Sequence, residues 1–257
     1  MRISASIVVY RESPQVLERV LSCFERMECD REVIVVDNSP DRRLESVAVA
    51  FASARYFHAE GNPGFGAGHN FAFAHRRSDS QIHLVVNPDT WFEPQMIAEM
   101  ARWHLSEPGI ALSVPRILNP DGTTQFACRH LPTPLSMLVR RLNVGGMFER
   151  AVAADELGRV DRKAVYDVPF CHGCFLMMRS DIYEKLGGFD EGFFLYMEDA
   201  DLFIRAKRFG RTVQNPRFEV FHEFRRGSAQ SPKLLWHHLR SAVRFFGKHG
   251  VRSLRQG

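Results

Sequence analysis

The chain has 257 residues, 45% hydrophobic and 25% charged, with a net charge of +4. That is enough to bury a substantial core, as one large α/β domain or two small ones. No apolar run approaches the ~18 residues of a membrane-spanning helix, and the apolar stretch of MRISASIVVY is too short for a signal peptide, so a cytoplasmic location is expected.

Residues 3–10 read as a buried strand. Ser13-Pro14 supplies an N-cap and a proline at the first helical position, for a helix to about Met27 with Val16, Val20, Leu21 and Phe24 on one face. A short apolar strand at 33–36 ends at Asp37-Asn38; a weaker helix and a strand near 55–58 follow. Residues 67–77 are helical, 82–86 form a strand that stops at Asn87-Pro88-Asp89, and 94–105 form an amphipathic helix. Strands alternating with helices of this length predict βαβ units and a parallel sheet.

The second half is less regular. Residues 110–118 are strand-like, and Asn119-Pro120-Asp121-Gly122 is a turn. Weak periodicity over 131–165 suggests a variable insertion or lid. A strand is expected at 175–178, helices at 181–186 and 198–209, one or two strands at 213–221 split at Pro216, and a final helix at 232–248. The five cysteines form no regular framework, which suits a reducing compartment; Cys171-His172-Gly173-Cys174 has no second C-x-x-C and reads as packing or cleft lining. After Glu223 there is no acid but eight basic residues: Arg225, Arg226, Lys233, Arg240, Arg244, Lys248, Arg252 and Arg255. Of 34 basic residues the preceding chain keeps 26, against 30 acidic ones. The C-terminal segment is a basic appendix on a slightly acidic body.

Ligands of open parallel sheets bind at the carboxyl ends of the strands. Tyr10-Arg11, Asp37-Asn38 and Asn87-Pro88-Asp89 fall at such ends and make one rim where a nucleotide can lie. Gly61-Asn62-Pro63-Gly64-Phe65-Gly66-Ala67-Gly68 leads into a helix, and glycines before a helix N-terminus favour phosphate. A dinucleotide fingerprint fits only in part, because its third glycine position is His69, and a purely structural glycine turn is a further alternative. In FLYMEDADLF (194–203), Glu198, Asp199 and Asp201 sit where a helix begins. Acids there suit the positive end of the macrodipole. The preceding Gly187-Gly188-Phe189-Asp190 turn and Gly192 can instead aim carboxylates into a cleft.

With Asn87-Pro88-Asp89 upstream and His222 ending FEVFH downstream, this pattern resembles the family 2 inverting glycosyltransferases, especially the rhamnosyltransferase-like branch. The resemblance spans residues 3 to about 250. It implies a GT-A-type α/β domain at 3–230, with a mostly parallel central sheet flanked by helices, a nucleotide-binding half at 1–105 and an acceptor half at 106–230. An amphipathic helix and tail follow at 231–257. It implies a single displacement from a nucleoside-diphosphate sugar, with dTDP-L-rhamnose suggested by analogy, onto a hydroxyl of a glycan or lipid-linked acceptor in surface polysaccharide synthesis. Asp199 would be the base and Glu198 would bind the acceptor, while Asp201 caps the helix. Tyr10, Asp37, Gly66, Asn70, Asn87 and Asp89 would hold the nucleotide sugar, Tyr10 flanking the base and Asp37 accepting from a pyrimidine N–H. Asp89 and His222 would bind Mg2+ or Mn2+; with one carboxylate in Asn-Pro-Asp, a second ligand is required.

The last helix carries Trp236, Leu239, Val243 and Phe246 on one face, with Arg240, Arg244 and Lys248 beside it. It is either packed on the domain or laid on an anionic membrane surface. No nucleic-acid partner is expected. The rival classes are a sugar-nucleotide nucleotidyltransferase, which would want glycines and basic residues where Tyr10-Arg11-Glu12-Ser13 stands, and an inactive nucleotide-sugar or glycan-binding domain.

Overall fold

The computed structural model describes residues 1–142, 157, 163–223 and 231–250. The chain begins β1 (Arg2–Val9), α1 (Pro14–Glu25), β2 (Asp30–Asp37), α2 (Glu45–Ala48), β3 (Ala54–His58), α3 (Phe65–Ala74) and β4 (Ile82–Val86). It continues β5 (Thr90–Phe92), α4 (Pro94–Ser106), β6 (Ile110–Leu118), β7 (Cys128–Arg129), α5 (Pro134–Leu142), β8 (Tyr166–Asp167) and β9 (Phe170–Cys171). It ends β10 (Phe175–Arg179), α6 (Ser180–Leu186), α7 (Glu198–Ala206), β11 (Arg211–His222) and α8 (Pro232–His249). Of the expected insertion, α5 is described and most of the rest lies outside the described residues.

A nine-stranded sheet runs in the order β3-β2-β1-β4-β10-β6-β11-β5, with β8 also on β11. β1, β2, β3 and β4 pair in parallel, as do β6 and β11. β10 runs antiparallel between β4 and β6, so the sheet is continuous across both halves of the chain. From β1 the chain winds outward to β2 and β3, then returns to β1's other side as β4. The loops after β1 and β4 therefore part and open a crevice, the switch point where such sheets bind ligands.

The parallel strands are apolar runs because both their faces are covered. Ile3, Ala5, Ile7 and Val9 of β1 join one core cluster with Leu17, Val20, Leu21 and Phe24 of α1. α1 starts as expected: Ser13 Oγ accepts from the Val16 N–H at 3.4 Å, with Pro14 following. The other face of β1 meets α3, where a glycine is needed: a Cβ on Gly68 would lie 2.7 Å from Val8 Cγ2. Here the sheet also buries a polar chain. Ser6 Oγ lies 2.7 Å from His69 Nδ1 and 3.0 Å from His83 Nε2, and Ser4 Oγ lies 2.9 Å from His83 Nδ1. Burial drives the His69 pKa down to about 3, so the chain is uncharged.

β11 is one strand, not a pair split at Pro216. The proline is absorbed at a register shift between Asn215 and Glu219, where the ladder to β6 is interrupted.

Two basic residues of α8 reach back to the protein, while Lys233 and Arg240 are exposed. Arg244 reaches Asp190 at 2.8 Å, and Lys248 reaches Asp190 at 2.6 Å and Asp201 at 2.7 Å. Asp201 is fully buried and also takes Arg205 at 2.7 Å and His249 at 2.8 Å. It therefore latches α8 instead of capping α7, whose N-cap position, Met197, makes no side-chain cap bond. Trp236, Leu239 and Val243, expected on one apolar face, are exposed at 56%, 55% and 75%, while Phe245 is buried. No helix among the described residues is long and apolar enough to cross a membrane.

Candidate active site

The acidic helix α7 is entered through two consecutive left-handed residues, Tyr196 (φ 69°) and Met197 (φ 68°). Non-glycine residues pay for that conformation with strain, which persists only where surrounding structure imposes it. The constraint here is visible on both sides. The Phe194 carbonyl accepts from the Phe65 N–H at 3.1 Å, and a Cβ on Gly64 (φ 103°) would lie 2.5 Å from that oxygen. Beyond the turn, the Asp201 N–H donates to the Met197 carbonyl at 2.9 Å.

Asp199 stands at the cleft, half-buried. Its Oδ2 accepts from the Gly173 N–H at 3.1 Å and its Oδ1 from its neighbour Ala200 N–H at 2.8 Å. Burial pushes its pKa up to about 6, against the opposing pull of those N–H groups. Glu198 is 5% exposed, with Oε2 buried and unpartnered among the described residues. Burial first, and then the charge of Asp199, lift Glu198 to about 8. The two acids therefore share roughly one negative charge near neutrality, and Asp199 is the one that carries it.

Gly173 explains the Cys-His-Gly-Cys segment. A Cβ there would lie 3.3 Å from Asp199 Cβ, a tight contact that glycine avoids as the carboxylate approaches its N–H. The next residue, Cys174, accepts from the Asn87 N–H at 2.8 Å. Gly173 and Cys174 thus tie the acid pair to Asn87-Pro88-Asp89. All five cysteines are free thiols, and burial raises the pKa of Cys171 and Cys174, so they are packing residues.

Asp89 and His222 are brought together by β5, a short strand the sequence did not suggest. It pairs antiparallel with the end of β11, setting Thr90 opposite His222 and Trp91 opposite Phe221. The Glu223 N–H donates to the Asp89 carbonyl at 3.0 Å, and His222 Nε2 lies 3.4 Å from Asp89 Oδ1. That oxygen is buried with no hydrogen-bond partner, as is Asn87 Oδ1. Gln125, also missed in the sequence, orients the imidazole. Its Nε2 donates to Asn119 Oδ1 at 2.9 Å, which leaves Oε1 to accept from His222 Nδ1 at 2.8 Å. With Nδ1 carrying the proton, Nε2 turns a lone pair toward the unsatisfied Asp89 oxygen. Two facing acceptors need a positive charge between them, either a proton or a cation. An oxygen and a nitrogen 3.4 Å apart suit a Mg2+ or Mn2+ whose other ligands come from phosphates and water. No group of three or more His, Cys, Asp or Glu among the described residues forms a metal cage by itself.

The other expected contacts divide. Tyr10 stands 45% exposed at the end of β1, with the Arg11 guanidinium 5.4 Å from its ring centroid. Asp37 is fully buried: Oδ1 accepts from the Ser39 N–H and Oδ2 from the Tyr56 hydroxyl, each at 2.8 Å. It shapes the loop. Gly66 and Asn70 are held in protein contacts. A Cβ on Gly66 would lie 2.8 Å from Phe189 Cβ, so packing there requires glycine. The Asn70 amide is filled by protein partners: Oδ1 accepts from the Phe189 N–H at 2.8 Å and the Tyr183 hydroxyl at 3.0 Å, and Nδ2 donates to the Phe189 carbonyl at 2.9 Å. Both residues bind α3 to the turn that precedes the acids.

A sequence model described as Glycosyl transferase family 2 matches residues 4–187. The chain belongs to this family. The match ends before Asp199 and His222, so their roles rest on geometry. This family 2 chain is 27% identical over 208 residues to a low-salt glycan biosynthesis hexosyltransferase of Haloferax volcanii, covering 80% of this chain and 62% of that protein. It is 25% identical over 248 residues to the rhamnosyltransferase WbbL of Escherichia coli, covering 90% and 89%. It is 26% identical over 273 residues to an N-acetylglucosaminyl-diphospho-decaprenol L-rhamnosyltransferase of Mycobacterium tuberculosis, covering 94% and 83%. The fold is GT-A. GalNAc-T7, solved with UDP, GalNAc and Mn2+, superposes with a TM-score of 0.66 at 17% identity over 87% of this chain and 43% of that one. TarS of S. aureus gives 0.60 at 16% identity, over 96% and 40%. The chain therefore spans less than two thirds of the Haloferax relative and less than half of these solved chains.

Proposed function

We propose that this chain transfers a sugar, with inversion, from a nucleoside-diphosphate donor to a hydroxyl of a glycan or lipid-linked acceptor in polysaccharide synthesis. The observation that carries the reading is Asp199: a carboxylate lifted to about 6, beside a neutral Glu198, tied through Gly173 and Cys174 to Asn87-Pro88-Asp89. A base in this pH range is ionised at neutrality yet still takes up a proton readily.

The donor's nucleoside lies in the β1–β4 crevice against Tyr10, and its diphosphate points at Asp89 and His222. The acceptor hydroxyl, hydrogen-bonded by Glu198, attacks the anomeric carbon. Its proton passes to Asp199, the bond from that carbon to the phosphate oxygen breaks, and the nucleoside diphosphate leaves with the electron pair. Asp89 and His222 would hold Mg2+ or Mn2+, which neutralises charge on the departing diphosphate. The names of the Escherichia coli and Mycobacterium tuberculosis relatives favour rhamnose as the sugar, with dTDP as its carrier by analogy, and the second also favours the L form and a lipid-diphosphate acceptor. We assign the nucleotide to residues 1–105 and the acceptor to 106–230, with α8 meeting an anionic membrane through its exposed Trp236, Leu239 and Val243. That site is the inner face of the cytoplasmic membrane.

Thermal shift against a panel of nucleotide sugars, with and without Mn2+, tests the reading, because a ligand of the native state alone raises its stability. A nucleoside-diphosphate sugar should raise the midpoint in a Mn2+-dependent way. No shift with any donor would contradict the proposal.

A further inference from the structure

A second site lies where α8 crosses the loop leading to the acids. A cavity of about 120 Å3 is lined by Gly192, Phe194, His237, Arg240, Ser241 and Arg244. The helix is fixed over it: Ser241 Oγ donates to the Leu195 carbonyl at 2.8 Å, and the His237 ring stacks on Phe194 with centroids 4.5 Å apart. His237 Nδ1 is buried and has no hydrogen-bond partner among the described residues. Arg244 gives Nη2 to Asp190 at 2.8 and 3.2 Å, which leaves the other hydrogens of a five-donor guanidinium. Its plane lies on the Gly192 backbone, where a Cβ would come within 2.0 Å of Cζ. Arg240 has no carboxylate partner among the described residues, and its guanidinium sits 5.5 Å over the Trp236 ring.

The cavity therefore collects two guanidinium groups, and the neighbouring Asp190 carboxylate is already held by Arg244, Lys248 and the Gly192 N–H. Two guanidinium groups lining one cavity match phosphate oxygens. The site is a few residues ahead of Glu198 and Asp199 in the chain and shares the Phe194 anchor with them.

We propose that this cavity is an anion subsite for phosphate oxygens of the acceptor, a phosphate or diphosphate ester whose sugar hydroxyl then reaches Asp199. The inference rests on the sugar-transfer reading for its acceptor, but its test does not. Calorimetric titration of the full chain in chelator, where metal-dependent donor binding is silent, would use geranyl diphosphate, inorganic pyrophosphate and phosphatidylglycerol vesicles as separate probes. Geranyl diphosphate should bind, and Arg240→Gln with His237→Phe should weaken it about tenfold or more, since charge-assisted bonds are lost. His237→Phe keeps the stack on Phe194, and Arg240→Gln alone serves if the double variant does not fold. Pyrophosphate binding as tightly as the geranyl ester would assign the site to the phosphates alone and support it. Binding only to vesicles, no binding of any probe to the wild type, or equal affinity in the variants would overturn it. If dTDP and UDP with Mn2+ also fail to bind the wild type, the transferase reading falls separately.

Discussion

At the scale of single residues, the acid pair is governed by desolvation. Neighbouring Glu198 and Asp199 cannot both ionise cheaply, and the N–H groups of Gly173 and Ala200 decide which one does. Turnover should therefore rise with pH through about 6, as Asp199 loses its proton. A kcat profile flat from well below that value would remove Asp199 from the rate-determining proton transfer. His222 depends in the same way on a partner outside the motif. Gln125→Leu frees the imidazole to change tautomer, and Mn2+ affinity, read by electron paramagnetic resonance, should fall roughly tenfold or more. Unchanged affinity would mean that the Gln125 contact does not matter to the ion. The sequence revealed the motif acids and His222 because their residue types announce chemistry. Gln125 and Gly173 announce nothing, since their value lies in contacts with His222 and Asp199, 97 and 26 positions away.

At the scale of elements, the short and the strained pieces escaped the sequence. β5 is three residues long, too brief for alternation to show, yet it sets Asp89 beside His222. α8 was found almost to the residue, but its contacts were not. Arg244 and Lys248 point to Asp190 and Asp201 on elements far away in sequence, which periodicity cannot supply. Asp201 is fully buried among Arg205, Lys248 and His249. Asp201→Ala removes the buried carboxylate that Arg205 pairs with and that holds the end of α8, and should cost about 3 kcal/mol in urea denaturation. A loss near zero would show that α8 is held by its apolar contacts alone. The outward strip gives a separate expectation. Replacing Trp236, Leu239 and Val243 by Ser should reduce co-sedimentation with anionic liposomes and leave the thermal midpoint nearly unchanged, because these side chains are exposed. Liposome binding that survives the triple change would place membrane contact elsewhere.

At the scale of the whole molecule, the βαβ rhythm made the first four strands of the sheet legible, together with the rim that Tyr10, Asp37 and Asn87 share. The second half reverses β10 between β4 and β6, and the sequence does not encode strand direction locally. That reversal matters for the site, because it starts β10 beside the end of β4 and so sets Gly173 and Cys174 between the acid pair and Asp89. In the Gly-rich loop, Gly64, Gly66 and Gly68 pack closely on Phe194, Phe189 and Val8, a demand visible only in three dimensions. The account as a whole depends on one carboxylate accepting the acceptor's proton. The most direct measurement compares wild type and Asp199→Asn for sugar transfer and donor affinity in the same preparation. The expected result is a fall in turnover of roughly two orders of magnitude or more with donor affinity preserved. Turnover near the wild-type value in the folded variant would contradict the account.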